Sequence, residues 1–332
     1  MDLRITDDQA ALAAGVRAFF EAELPASRLR MRTEGGADDS ALWQAYVAMG
    51  LSGLCAPERL GGLGMGALEA ALVAIECGRA CAPGALVDTG LTAAPLLAAR
   101  GEDALTAAIA RGDAIVALAH ARNPWIADLD GATMVLGAGE TGLARRDAAL
   151  FNAVSPSAGI DPNRRLFAFA EGRDDDALLD RRALIAAAEL LGLAEAMVDQ
   201  ACAYARTRTQ FGQPIGGFQA IKHALATIKV AVDFARPVVL RAARALDLAA
   251  PNAPLCISHA KIAAGDAAWA AAETAIQVHG AMGYTYEVDL HFWMKRTWAL
   301  VGAWGDRAFH LDRIDETLFS GAAPIGPTRT FG

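Results

Sequence analysis

Apolar residues recur every three or four positions over most of the chain, a spacing that predicts helix. The pattern is clearest from Leu178 to about Phe319. Leu184, Ala187, Leu191, Ala194, Val198 and Ala201 share one helical face, and Ile221, Leu225, Ile228, Val232 and Ala235 share another. Pro254 suits the first turn of a further helix running to about Ala275. Two more helices are expected around residues 290–303 and 306–318. Residues 1–112 carry the same kind of pattern. Thr6 and Gln9 have capping-box spacing ahead of Ala11, Val16, Phe19 and Phe20. A second helix is expected from near Ser40 through Trp43 and Val47 to Met49. A third holds Leu68, Leu72, Ile75 and Glu76, beyond a turn-rich stretch at 56–66, and helical segments continue at 91–97 and 105–110. Between these two regions the periodicity breaks. Short apolar runs at 114–119, 133–136, 148–154 and 165–170, separated by Gly, Pro, Asp and Asn, predict a few strands. The expected fold is therefore mainly α: an N-terminal helical domain over 1–112, a small β domain over 113–177, and a C-terminal four-helix-bundle-like domain over 178–332.

Composition narrows the possibilities. Of the 332 residues, 54% are hydrophobic and 20% charged, enough for a large core and unlike a disordered chain. Only 7% are aromatic, which favours closely packed helices over an extended sheet. The net charge is −8 with no long basic run, which argues against nucleic acid as a partner. No apolar run reaches the roughly 20 residues needed to span a bilayer. The opening MDLRITDDQ lacks a signal pattern, so a cytoplasmic protein without a membrane partner is expected. Cys55, Cys77, Cys81, Cys202 and Cys256 form no C-x-x-C pair, and the six histidines have no metal-ligand spacing. Neither a disulfide framework nor a metal site is expected. Cys77 and Cys81 read as small packing residues on one helical face.

Two stretches could carry chemistry. Gly62-x-Gly64-x-x-Ala67 has the spacing of a dinucleotide-binding fingerprint, but that motif needs a preceding strand and a βαβ unit. Here a helix and Pro57 come before it, so a glycine-rich turn between helices is expected. In RTRTQFGQPIGGFQ, a helix ending with Tyr204, Arg206 and Arg208 breaks at residues 211–214 and restarts near Phe218 and Gln219. Two guanidinium groups beside a chain reversal suit a pyrophosphate. Arginines in a last helical turn also offset the helix dipole, and the residues alone leave both readings open.

RTRTQFGQPIGGFQAIKH resembles the R-x-x-F-G-x-x-I-x-x-F-Q signature of acyl-CoA dehydrogenases. QVHGAMGYTYE, Gln277 to Glu287, resembles that family's Q-x-x-G-G-x-G-Y-x-x-E. GLCAPERLGGLGMG and IECGRACAP resemble its N-terminal helical domain, so the likeness spans nearly the whole chain. The resemblance implies FAD as cofactor, contacted across a subunit interface by Arg208, Phe211, Phe218 and Gln219, with Gln277 and Gly280 nearby. Ala281 replaces a glycine whose backbone meets the FAD pyrophosphate in the family.

The same resemblance exposes what is missing. Most of the family carries its catalytic glutamate on the loop after the second signature, and that position falls at Trp304. A minority carries it on the long helix before the first signature, and that position falls at Arg182. Asp306, Glu189 and Asp180 are the nearest carboxylates, each out of register. The β domain is abbreviated, and Trp125 lies outside the family's flavin-covering motif. In this shortness the chain resembles the half-subunits of heterotetrameric dehydrogenases acting on steroid side-chain CoA esters. The resemblance then implies a longer paralogue as the base-bearing partner, an acyl-CoA substrate and an electron-transfer acceptor. Two other readings stay open: a homo-oligomeric dehydrogenase with a relocated base, and a silent protein that binds a CoA ester or a partner. His223, beside Lys222, is expected on a helix surface, where a phosphate contact is also conceivable. Asp306, Arg307, Asp312 and Arg313 are expected to form a solvated face with ion pairs.

Overall fold

A computed structural model of the chain describes residues 3–35, 39–139, 142–148, 159–168 and 175–321. The N-terminal region holds α1 (Asp7–Glu23), α2 (Ala26–Thr33), α3 (Asp39–Ala48), α4 (Ala67–Arg79), α5 (Ala94–Ala99) and α6 (Asp103–Arg111). The capping box is formed as its spacing predicts: Thr6 Oγ1 accepts from the Gln9 amide at 3.2 Å, and the Gln9 side chain accepts from the Thr6 amide at 3.0 Å. Helix α2 was not foreseen. Only Leu29 of its eight residues is buried, so it leaves no apolar periodicity to read. The segment before α5 winds as a π-helix over Val87–Ala93, with every residue buried.

The β region is small. β1 (Val116–Ala119) runs parallel to β3 (Met134–Gly139), which pairs antiparallel with β4 (Gly142–Asp147). β2 (Trp125–Ala127) pairs antiparallel with β5 (Leu166–Ala168). The runs expected at 114–119, 133–136 and 165–170 correspond to β1, β3 and β5. The run expected at 148–154 falls, beyond Ala148, outside the described residues, as do residues 169 and 170. β2 and β4 were missed, the first for its three-residue length and the second because half of GLARRD is charged.

The C-terminal region is built from α7 (Asp176–Thr207), α8 (Gln219–Asp247), α9 (Ala253–His279), α10 (Leu290–Gly302) and α11 (Arg307–Phe319). A tight hairpin of β6 (Thr209–Gln210) and β7 (Gln213–Pro214) reverses the chain between α7 and α8. Helix α7 is the axis of the molecule: from Arg182 to Ala194 every residue is buried. Alanines supply much of its contact surface, which lets α9 and α4 lie close beside it. Against α4 the contact reaches the backbone. A Cβ on Gly192 would overlap the carbonyl oxygen of Ile75, and one on Gly78 would overlap that of Glu189. The two glycines set the helix spacing because only hydrogen fits at the crossing.

The segment around Gly62 and Gly64 has no strand before it. A 3-10 turn (Glu58–Leu60) leads into it, and the chain then enters α4. The free amides at the start of α4 are capped from a distance: Asp247, the last residue of α8, accepts from Ala67 N at 2.5 Å and Leu68 N at 3.1 Å. The dinucleotide spacing is thus coincidental to a helix-capping turn. All five cysteines are free thiols, and Cys77 and Cys81 are buried. Among the described residues, no helix is long and apolar enough to cross a membrane.

Candidate functional site

Two groups of residues matter, and the fold holds them apart. The first lies at one end of the bundle. Helices α7 and α9 run in the same direction, because α8 returns between them. Their last turns meet where the Tyr204 ring stacks on His279, with centroids 4.3 Å apart. This contact brings the Arg206–Gln219 reversal and the Gln277–Gly280 helix end to the same edge. Arg206, Arg208, Gln219, Gln277, Gly280 and Ala281 are all exposed there. Phe211, at φ +53°, is 93% exposed, and its ring meets Phe218 edge-on at 6.1 Å.

The edge is rich in donors without acceptors. Among the described residues, neither Arg206 nor Arg208 meets a carboxylate, and no hydrogen bond engages the side chains of Gln219 or Gln277. Gly280 ends α9 at φ +60°, ψ −136°, and a Cβ there would meet nothing. That backbone conformation is accessible essentially to glycine alone, and with no side chain there the backbone is uncovered at the surface. Two exposed guanidinium groups, free amide side chains and an uncovered backbone suit a diphosphate brought by another molecule. The residues present therefore fit the ADP half of FAD. His223 and Lys222 lie on the exposed surface of the first turn of α8, as expected.

The second group lies deep between α7, the π-helical run and the α10–α11 turn. Here stand the two positions at which the resemblance places a catalytic base. Arg182, buried on α7, donates from Nε to Asp88 at 2.7 Å and from Nη1 to Glu189 at 2.9 Å. Burial opposes its charge, but Glu189 and Asp88 outweigh that cost and hold its pKa above the ordinary arginine value. Burial raises the Asp88 carboxyl despite Arg182 beside it. Trp304 packs onto this triad, its ring centroid 5.6 Å from the Arg182 guanidinium carbon and 6.2 Å from the His120 ring.

The Trp304 turn is held rigidly. Trp304 sits at φ +59° and Gly305 at +89°. Lys261, fully buried, donates to the carbonyls of Leu300, Val301 and Gly305 at 3.0–3.1 Å, and burial pushes its pKa down to about 7. His310 lies 3.1 Å from the Trp304 carbonyl through Nε2 and 3.1 Å from Ser258 Oγ through Nδ1. A carbonyl can only accept, so Nε2 carries the proton and Nδ1 accepts from the serine hydroxyl. The imidazole is neutral, and burial pushes its pKa down to about 4.

The three nearby carboxylates all have structural contacts. Glu189 is bound to Arg182. Asp180 accepts from Arg313 at 2.8 Å, with its pKa raised by burial. Asp306 caps α11, accepting from Phe309 N at 2.8 Å. Arg307 pairs with Asp266 at 3.1 Å, so the expected ion-pair face is there in part, although Asp180, the partner of Arg313, is itself buried. Asp88 was not anticipated. It lies 94 residues from Arg182, and nothing local in the sequence marks it as a partner.

A helical domain, a small β layer and a helical bundle in this order define the acyl-CoA dehydrogenase fold. The chain matches "Acyl-CoA dehydrogenase, N-terminal domain" over residues 6–112 and "Acyl-CoA dehydrogenase, C-terminal domain" over residues 175–319. "Acyl-CoA dehydrogenase IpdE2" of Mycobacterium tuberculosis is 37% identical over 278 residues, covering 82% of this chain and 84% of that protein. Among solved structures, the ChsE4-ChsE5 complex from Mycobacterium tuberculosis superposes with a TM-score of 0.82 at 24% identity, covering 98% of this chain and all of that one. A Tcur3481-Tcur3483 steroid ACAD variant gives 0.81 at 21% identity, covering 97% of this chain and all of that one. The chain belongs to the acyl-CoA dehydrogenase family.

Proposed function

We propose that this chain is a subunit of an FAD-dependent acyl-CoA dehydrogenase that completes the flavin site of a longer paralogue and leaves proton abstraction to it. One observation carries the reading. Both positions at which the family keeps its base are filled by Trp304 and Arg182, and these close against each other, while the donor edge at the bundle end stays open. A buried cation where a carboxylate should ionise cannot act as a base for the α-proton. Asp306, Glu189 and Asp180 are engaged in a cap and two ion pairs, which argues against a relocated base.

FAD, when bound, supplies the acceptor for the β-hydride of the acyl-CoA. The work of this chain is to hold it. Arg206 and Arg208 offset phosphate charge, Gln219 and Gln277 offer side-chain amides, and Gly280 lets the backbone approach. Ala281 adds one methyl beside that approach, and its exposed position leaves room for it. The partner is a paralogue carrying the glutamate, in a heterotetramer, and electrons leave through a separate electron-transfer acceptor. A steroid side-chain CoA ester is the substrate class that the short β domain points to. The likeness to proteins described as a two-component complex and as a steroid ACAD supports both inferences.

The test is to purify the chain alone and co-expressed with such a paralogue. Flavin absorbance and acyl-CoA-dependent dye reduction are then measured on both preparations. Flavin and activity are expected only in the co-purified complex, and to be lost when the partner's glutamate becomes glutamine. A yellow, active preparation of the single chain would overturn the proposal.

A further inference from the structure

A cavity of about 370 Å³ lies against the end of α10, and none of the donor-edge residues lines it. Gly302 and Ala303 form one wall, Arg122 of the β1–β2 connection and Trp125 at the start of β2 form another, and Ile160 and Arg164 close a third side. Arg164 is the unusual member. It is only 8% exposed, yet among the described residues nothing accepts a hydrogen bond from its guanidinium. The carboxylate that acts on it most strongly is already committed, since Asp161 accepts from Arg296 Nε and from the Asn163 amide. One carboxylate thus stands between two buried guanidiniums. Burial, followed by repulsion from Arg296, holds the Arg164 pKa below the ordinary arginine value.

A buried charge without its own counter-charge is costly, and proteins retain one where something else pairs with it. The cavity walls hold no Asp or Glu that could do so. They do offer apolar surface: Trp125 is 40% exposed and Ile160 is 52% exposed. The other cation, Arg122, is drawn over the Phe309 ring at 4.9 Å. One unpaired planar fork matches a monoanion with two coplanar oxygens better than it matches a phosphate dianion.

We propose that this cavity binds a carboxylate carried on a small, flat, apolar body, with Arg164 receiving the carboxylate and Trp125 and Ile160 flanking the body. The site is separate from the proposed flavin edge and stands whether or not this chain contacts a flavin.

The probe is 4-fluorobenzoate, followed by fluorine NMR line broadening and by calorimetry on the full chain, with 4-fluorobenzyl alcohol and inorganic phosphate as comparisons. Fluorobenzoate is expected to bind, unlabelled benzoate to displace it, and the alcohol to bind at least about tenfold more weakly, the usual effect of losing a charge-assisted hydrogen bond. Arg164→Met should weaken fluorobenzoate by a similar factor without lowering the unfolding midpoint of the free protein, because among the described residues the guanidinium it removes makes no hydrogen bond and its removal also ends the repulsion of Arg296. Arg164→Lys should recover part of the binding. No fluorobenzoate binding, equal binding of acid and alcohol, or displacement by phosphate as effective as by benzoate would each overturn the proposal. Undiminished binding by Arg164→Met would do the same. If the methionine variant does not fold, the acid-to-alcohol comparison on the unaltered chain and the lysine variant decide the matter.

Discussion

Arg182 and Trp304, 122 residues apart in the chain, touch at 5.6 Å between guanidinium and ring. They occupy the two positions at which the resemblance to the family places a catalytic base, on two different elements. The contact turns a place for chemistry into a packed joint between α7 and the α10–α11 turn. Asp88 and Glu189 complete the joint by neutralising the arginine.

The first expectation concerns that neutralisation. Arg182→Met leaves two buried carboxylates without a cation, and removing one partner of a buried ion pair costs about 3–5 kcal/mol. Adding Asp88→Asn and Glu189→Gln should restore most of the loss. Urea unfolding of the single and triple variants measures it; equal stability of the two would show that the triad does not act as a unit.

Trp304 offers an inverted order of substitutions. Truncating a buried tryptophan to alanine costs about 3–5 kcal/mol. Glycine is ordinarily worse than alanine, but at φ +59° it relieves backbone strain. Trp304→Gly is therefore expected to be the more stable of the two by about 1 kcal/mol. Denaturation midpoints that rank alanine above glycine would show that the strain is not released.

Acidification should act through His310. Its folded-state pKa of about 4 lies below the unfolded value of about 6.5. Between those two values the unfolded chain takes up a proton that the folded chain refuses. Stability is then lost as pH falls from about 6.5 to 4, by up to about 1.4 kcal/mol per pH unit. Burial is the main cause, and the Lys261 and Arg313 charges add to it. Asp88, Asp128 and Asp180, raised by burial, titrate with the opposite sign, so the measurable quantity is a difference. His310→Gln, which keeps a donor for the Trp304 carbonyl, should flatten the pH dependence of the urea midpoint in this window. An unchanged slope would mean that His310 is not the group responsible.

Much of this was legible in the sequence, for reasons that also explain the gaps. Helices α7 to α10 follow from apolar spacing because each buries a stripe against its neighbours. Helix α2 buries a single leucine, and β4 alternates nothing apolar, so neither had a signal to give. The donor edge was readable because Arg208, Phe211, Gln219 and Gln277 sit in two contiguous stretches of chain. The closed joint was only half readable: a resemblance indicated positions 182 and 304, but their mutual contact and the partner Asp88 depend on tertiary packing. The left-handed backbone of Trp304, a residue that rarely adopts it, could not be anticipated.

The donor edge makes its own prediction. Arg208→Met and Gln277→Ala should each lower the flavin content of the co-purified complex, with little change in the unfolding midpoint of the chain alone, since both side chains are exposed and, among the described residues, neither has a hydrogen-bond partner. Full flavin occupancy in both variants would remove this edge from the cofactor site.

The cap that Asp247 places on α4 has a consequence for how the chain folds as it is made. Helix α4 buries almost every residue and forms the contact with α7, yet the carboxylate that satisfies its first amides arrives 180 residues later. While the ribosome is still translating the bundle, the N-terminal helices have neither their cap nor the long helix they pack against. Helix α4 therefore matures late although it emerges early. A nascent chain halted before residue 247 should be cut by proteases within 67–79, whereas the full chain should resist cleavage there.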